Sequence, residues 1–335
     1  MYREELPGFY RIEVPLPGNP LKELNAYLVR GKDRSLLVDN GFNMRASEEA
    51  LRAALDALCV DATRLDFFIT HLHSDHNGLT SRLQSPSSRI YCGRTDGEKI
   101  NAFIRDAGLW SAMMLDLRHH GFPRDALEEL VSSHPGKVYA NAEPLHFTFV
   151  EEGDVLSFGP YAFRVLSVPG HTPGHMALYE ETHKFLVAGD HILGSITPNI
   201  TSWEGVPDSL GDYLASLAKI AALPVRTSFP GHRAVVADTR ERIVELRAHH
   251  AQRLAEALDI VTSLGRARAW DVAARMRWSL RGVWKEFRVQ QQCFAVGEAV
   301  SHLDHLAALG RLERTREDDG GISFAPVSHC LAAQP

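Results

Sequence analysis

Alternation of apolar and polar positions opens the chain, where FYRIEVPL, NAYLVR and SLLVD read as short strands separated by the turn segments PGNP and GKD. An antiparallel sheet is expected there. The period then lengthens: ASEEALRAALDAL at 46–58 has helical spacing, and LDFFIT at 65–70 returns to a strand-like run. Residues 96–135 again carry helical spacing with a break at GFPRD, and predict a helical insertion. Strand patterns resume in HFTFV, VLSFG, YAFRVLSV, HMALYE and KFLVAG, enough for a second sheet. From about Thr239 a long amphipathic helix begins, followed by further helical pattern and two short strands around REDDGGISF. The expected fold class is α/β, with a first domain at 1–237 and a smaller, mostly helical one at 238–335.

Composition changes this picture little. The 335 residues are 44% hydrophobic and 23% charged, as in an ordinary globular protein, so disorder is not the default. A formal net charge of -6 argues against bulk attraction to nucleic acid or to an anionic membrane. Cys59, Cys92, Cys293 and Cys330 are far apart and form no CxxC pair, so neither a disulfide framework nor a thiolate zinc site is indicated, which fits a reducing cytoplasm. The opening MYREELPG lacks a signal-peptide pattern, and no run of 18 apolar residues occurs, so a cytoplasmic location with no membrane partner is expected.

The chemistry is concentrated in His71-Leu-His73-Ser-Asp75-His76, directly after LDFFIT. In extended backbone His71 and His73 point the same way, and the following turn can bring Asp75 and His76 to a neighbouring point. Imidazole nitrogen and carboxylate oxygen suit zinc, iron or manganese, and the lack of nearby Cys favours an open catalytic site over a closed structural one. His171, Asp190 and His232 each follow a strand in a Gly-containing turn, where an α/β framework collects a site from distant sequence. His175 and His191 read as orienting groups beside the ligands. His119, His120, His249 and His250 read as solvated helix residues.

HLHSDH matches the HxHxDH motif of the metallo-β-lactamase superfamily, and VPGHTPGH, VAGD and FPGH are similar to its later metal-binding motifs. The resemblance covers roughly residues 8–235. It implies an αββα sandwich and two divalent ions. His71, His73 and His171 would hold one, Asp75, His76 and His232 the other, and Asp190 would bridge them together with a hydroxide. Asp75 would also orient the nucleophile or pass a proton to the leaving group. Zinc is the first expectation, with iron or manganese accepted by the same ligands. Because Asp190 stands where the true β-lactamases offer Cys, the pattern resembles the glyoxalase II, lactonase and nuclease branches. His73, where flavodiiron proteins have a glutamate, disfavours oxygen reduction. Residues from about 238 onward resemble the small winged-helix domain appended to a branch that includes lactamase-like endoribonucleases.

The implied activity is hydrolysis of an ester, thioester or lactone carrying a small apolar acyl group. The alternative is a phosphodiesterase or endoribonuclease with RNA held on the winged helix. Between Arg266 and Glu317 ten Lys or Arg face six Asp or Glu, too modest an excess to favour nucleic acid over packing or a homodimer contact. Within the insertion, Trp110, Met113, Met114 and Leu117 can share an apolar stripe and contact the substrate as a lid. Packing against the body of the protein is the other reading of that stripe.

Overall fold

A computed structural model describes residues 1–106, 108–279 and 281–327, without the side chain of Met114. The chain divides into two compact units. The first comprises Met1–Asp106, Pro135–Pro198 and Ser216–Ile243; the second comprises Ala107–His134, Asn199–Ala215 and Val244–Pro335.

The first unit is built on two sheets. One has seven strands in sequence order: β1 (Tyr2–Leu6), β2 (Phe9–Pro15), β3 (Glu23–Val29), β4 (Ser35–Val38), β5 (Leu65–Ile69), β6 (Ile90–Gly93) and β7 (Phe147–Val150). β1 to β4 pair antiparallel, as the opening pattern predicts, and β4 to β7 pair parallel. The other contains β8 (Val155–Phe158), β9 (Tyr161–Ser167), β10 (Met176–Glu180), β11 (Phe185–Gly189) and β12 (Thr227–Pro230), in the order β12-β11-β10-β9-β8. Short β6, IYCG, is not among the strands expected from the sequence.

The strand patterns explain the layering. β5 is buried on both faces, which is why LDFFI is nearly continuous in apolar residues. Phe68 faces the second sheet in a cluster with Phe9, Tyr27, Phe163, Phe185 and Phe229, where the Phe9 ring lies 4.9 Å from that of Phe229. Its neighbours Phe67 and Ile69 point the other way, into a cluster with Leu51 and Leu55 of the helix Arg45–Ala57. The α/β sandwich expected from the sequence is thus the architecture observed.

The second unit contains the helices Gly108–His119, Arg124–Ser133, Ala269–Ala273 and Val289–Ala308, most of Thr239–Leu264, and an antiparallel hairpin of β13 (Leu312–Arg316) and β14 (Ile322–Pro326). Its core joins Phe122 and Leu130 to Val261, Val272, Val300, Leu303 and Phe324. This revises the division at 237/238. Residues 108–134 fall in the stretch read as an insertion of the first domain, but apolar side chains among them, Phe122 and Leu130 foremost, belong to the core of the second unit. Only the helix Arg94–Arg105 stays with the first. Of the stripe read as a lid face, Met113 and Leu117 lie against the second core, and Trp110 is 6% exposed with its ring 5.0 Å from that of His134. Met114's side chain lies outside the described residues.

Two histidines read as solvated are in fact buried. His120 and His250 are each 1% exposed. His250 Nδ1 lies 3.2 Å from His302 Nε2, and His302 Nδ1 donates to the Glu298 carbonyl at 2.7 Å. Cys59, Cys92 and Cys293 are free thiols, and Cys330 lies outside the described residues. Among the described residues no helix is long and apolar enough to cross a membrane.

Candidate metal centre

The seven residues singled out by motif come together at the ends of β5, β11 and β12 and in the link between β9 and β10. Three groups of ligand atoms, each mutually within 4.8 Å, are formed by His71, His73 and His171, by His71, His76 and Asp190, and by Asp75, His76 and His232. In the first group His73 Nδ1 lies 3.0 Å from both His71 Nε2 and His171 Nε2. Tetrahedral coordination at zinc–nitrogen distances separates adjacent nitrogens by about 3.3 Å, so these three rings are already near ligand spacing.

Hydrogen bonds on the far sides of the rings fix which nitrogen faces inward. The Thr70 hydroxyl donates to Asp39 Oδ2 at 2.8 Å, which commits its proton. His71 Nδ1, 3.0 Å from the same hydroxyl oxygen, must therefore be the donor there, and its Nε2 presents a lone pair. His76 Nδ1 donates to Asp39 Oδ2 at 2.7 Å, and His232 Nδ1 to the Glu23 carbonyl at 2.7 Å. Each turns Nε2 toward the centre, the outer-partner arrangement typical of metal-binding imidazoles.

Those inward atoms test whether a cation fits. His76 Nε2, His232 Nε2 and Asp190 Oδ1 are buried and make no hydrogen bond. Each such orphan costs about 1–3 kcal/mol unless something else satisfies it. Asp190 stands between the groups: Oδ1 is 3.6 Å from His76 Nε2, while Oδ2 is 3.8 Å from His171 Nε2 and 3.6 Å from His232 Nε2. Asp75 Oδ2 lies 3.3 Å from His232 Nε2. Five imidazoles and two carboxylates, three of them with unsatisfied inward atoms, are a donor set for divalent cations.

Protonation agrees. Burial, reinforced by the surrounding imidazoles, holds His71 well below the usual histidine range, and burial with His171 alongside brings His73 down to about 3. Burial raises the two acids, but His76 and His232 outweigh it, holding Asp75 at about 2 and Asp190 well below the carboxylate range. These are the states that metal binding requires, neutral imidazole and ionised carboxylate. Burial lowers His76 and His232 too, but the carboxylates beside them, Asp39, Asp190 and Asp75 for His76 and Asp190 and Asp75 for His232, raise both rings, so the metal-free centre favours protons there that a divalent cation would displace.

Glycine makes the close approach possible. A Cβ at Gly231 would stand 2.6 Å from both Asp190 Oδ1 and His76 Cε1. One at Gly189, where φ is +51°, would stand 2.8 Å from His175 Nε2 and Thr70 Oγ1. His175 supports Asp190 from behind, its Nε2 accepting the Asp190 backbone N–H at 3.2 Å.

Sequence reasoning missed two buried acids. Asp39, at the end of the SLLVD strand, accepts the Thr70 N–H, the Thr70 hydroxyl and His76. Asp96, in the first turn of the helix after β6, accepts the Leu72 N–H at 3.0 Å, the Thr172 hydroxyl at 2.6 Å and the Gly174 N–H at 2.7 Å. Burial pushes its carboxyl up to about 6 against the pull of these bonds. The available signal was an isolated acid at a strand end or a helix start, which is too common to single out.

Residues 22–232 match the model of the metallo-β-lactamase superfamily, and residues 284–327 match that of a metallo-β-lactamase-like C-terminal domain. A hydroxyacylglutathione hydrolase of Alkalilimnicola ehrlichii is 34% identical over 151 residues, covering 43% of this chain and 56% of that protein. An acyl-coenzyme A thioesterase of Gallus gallus is 26% identical over 219 residues, covering 62% and 72%. The chain spans about half the length of the first curated relatives it matches. The crystal structure of a metallo-β-lactamase family protein from Thermus thermophilus superposes with a TM-score of 0.81 at 28% identity, covering 97% of this chain and 100% of that one. With HLHSDH and its three partner motifs converged on one centre, the chain belongs to the metallo-β-lactamase superfamily.

Proposed function

We propose that this protein is a metal-dependent hydrolase of thioesters, esters or lactones with a dinuclear centre. His71, His73 and His171 would hold one ion and Asp75, His76 and His232 the other, with Asp190 shared. The observation that carries this reading is the position of Asp190, whose two oxygens face ligand nitrogens of both groups. Zinc is the first choice of ion, although nitrogen and oxygen donors without thiolate also suit iron and manganese.

When bound, the ions would polarise the scissile carbonyl and acidify a water toward neutral pH. The chain's own residues do the rest. Asp39 and the Glu23 carbonyl hold the imidazoles in the tautomer that presents Nε2. Asp75, ionised and facing the centre, is the group available to orient the attacking water or to carry a proton to the leaving group.

The acyl reading is supported over the nucleic-acid one by the fate of the basic residues in the second unit. Arg266, Arg268 and Arg314 are paired with Glu317, Asp319 and Asp304. These pairs consume charge that a phosphate backbone would need. The avian relative's name adds thioesters to the front of the list. The second unit then serves packing or a homodimer contact. Metal analysis of the purified protein, followed by a panel of thioester, ester, lactone and phosphodiester substrates, tests the proposal. Two ions per chain with thioester turnover is expected; phosphodiester cleavage with salt-sensitive RNA binding would replace it by the nuclease reading.

A further inference from the structure

We infer that Asp96 is the positioning residue for the His71, His73 and His171 half of the centre, and has no such role for the Asp75, His76 and His232 half. This rests on the dinuclear reading above. The two loops that carry His73 and His171 are about a hundred residues apart in sequence, and their ring nitrogens nevertheless stand 3.0 Å apart. One carboxylate joins the loops. Asp96 Oδ2 accepts the N–H of Leu72, the residue between His71 and His73, and the hydroxyl of Thr172, the residue after His171. Oδ1 accepts the N–H of Gly174 on the same second loop. The side chain is fully buried, so water cannot substitute for it.

The fit between these parts is tight. A Cβ at Gly174 would stand 2.5 Å from the Asp96 backbone nitrogen and 2.7 Å from its Oδ1, and one at Gly93 would stand 2.5 Å from the Gly174 carbonyl oxygen. The second ligand loop is therefore seated directly on the start of the helix Arg94–Arg105. The other half of the centre is fixed by different groups: Asp39 for His76 and the Glu23 carbonyl for His232. An amide at position 96 keeps one accepting oxygen but turns an NH2 group toward donors that now lack a partner. The expected result is drift between the two loops, felt by the ion that needs nitrogens from both.

The test is metal affinity in the full-length protein, measured for Zn2+ by competition with a chromophoric chelator and for Co2+ by its visible absorption. In Asp96→Asn one binding constant should fall by about 10- to 100-fold, the range for loss of a partner behind metal ligands, with a shift in the Co2+ bands, while the other constant holds. Thr172→Val, which removes one donor and leaves the carboxylate intact, should weaken the same ion by less. A His232→Ala background, with the second position disabled, should still show the Asp96→Asn loss; a His171→Ala background should show no further loss. Equal weakening of both ions, or none, would overturn the inference. If the wild-type protein took up a single ion, the dinuclear reading would fail; the inference would then stand only if Asp96→Asn weakened an ion that His171→Ala removes, or spared one that His171→Ala leaves in place.

Discussion

His76 Nδ1 and the Thr70 hydroxyl converge on a single oxygen, Asp39 Oδ2, at 2.7 and 2.8 Å. One buried carboxylate thereby sets the tautomer of His76 directly and that of His71 through Thr70. Asp39 has φ of +57°, a conformation that Asn also accepts, so Asp39→Asn is a conservative probe. It should lower affinity for both ions, by about 10- to 100-fold for the His76 position. Chelator competition on the variant checks this; unchanged affinity would show that the tautomers are set elsewhere.

Asp190→Asn should remove metal and hydrolysis together, because a neutral amide is a poor bridge between two cations. Elemental analysis and turnover on the same preparation provide the check. Full activity in this variant would remove Asp190 from the centre. His71→Ala and His232→Ala should each lose a different ion, distinguishable by their Co2+ spectra.

Gly231→Ala tests the close approach behind Asp190. The added methyl would stand 2.6 Å from Asp190 Oδ1 and His76 Cε1, so those side chains must give way. The expected outcome is a chain with near-native circular dichroism and depleted metal. Normal stoichiometry would mean that the centre relaxes more readily than its packing suggests.

Trp110→Ala separates packing from substrate contact. With the indole 6% exposed, truncation should cost about 3 kcal/mol of stability in the second unit, the usual scale for a buried aromatic. Metal content should be unchanged. Denaturant unfolding followed beside metal analysis gives both readouts. If stability held while KM rose for bulky apolar substrates alone, the lid reading would be restored.

The His250–His302 pair predicts an acid-sensitive second unit. Burial, then His302 and His249, lowers His250 to about 2, and burial lowers His302 to about 3 against the opposing hydrogen bond to Glu298. Both stay neutral when folded, whereas in the unfolded chain each protonates near pH ~6.5. As pH falls below that value the unfolded state gains protons that the folded state refuses, so stability drops by up to about 1.4 kcal/mol per pH unit for each ring. Unfolding measured on either side of that value, at about pH 7.5 and about pH 5.5, should show the loss, and His250→Leu should reduce the slope. An unchanged slope would mean that the pair protonates without cost.

Ligands were legible in the sequence to the extent that they were local. HLHSDH packs four donors into six residues, and His171, Asp190 and His232 each follow a strand and a glycine. Asp39 and Asp96 were not legible, because their roles depend on backbone N–H groups and hydroxyls brought from other loops. The helical spacing of residues 108–133 correctly showed an apolar face but carried no record of which core it joins; Phe122 and Leu130 join the second. His120 and His250 looked solvated because each sits in a His-His pair within a helical pattern, and only the packing of the second unit shows that each is buried.

The interleaving of the two units has a consequence for biogenesis. Phe122 and Leu130 leave the ribosome well before Val261, Val300 and Phe324, with which they share a core. The first unit likewise waits for β12 and His232, which are made after the segment 199–215 that belongs to the second. Neither unit can be completed by a contiguous stretch of nascent chain. A protein cut after Ala237 would keep every metal ligand and strand a pair of helices without their partners, and such exposed apolar surface is an invitation to aggregate. Chaperone dependence during synthesis, and failure of the shortened chain to accumulate in soluble form, would follow from this order of segments.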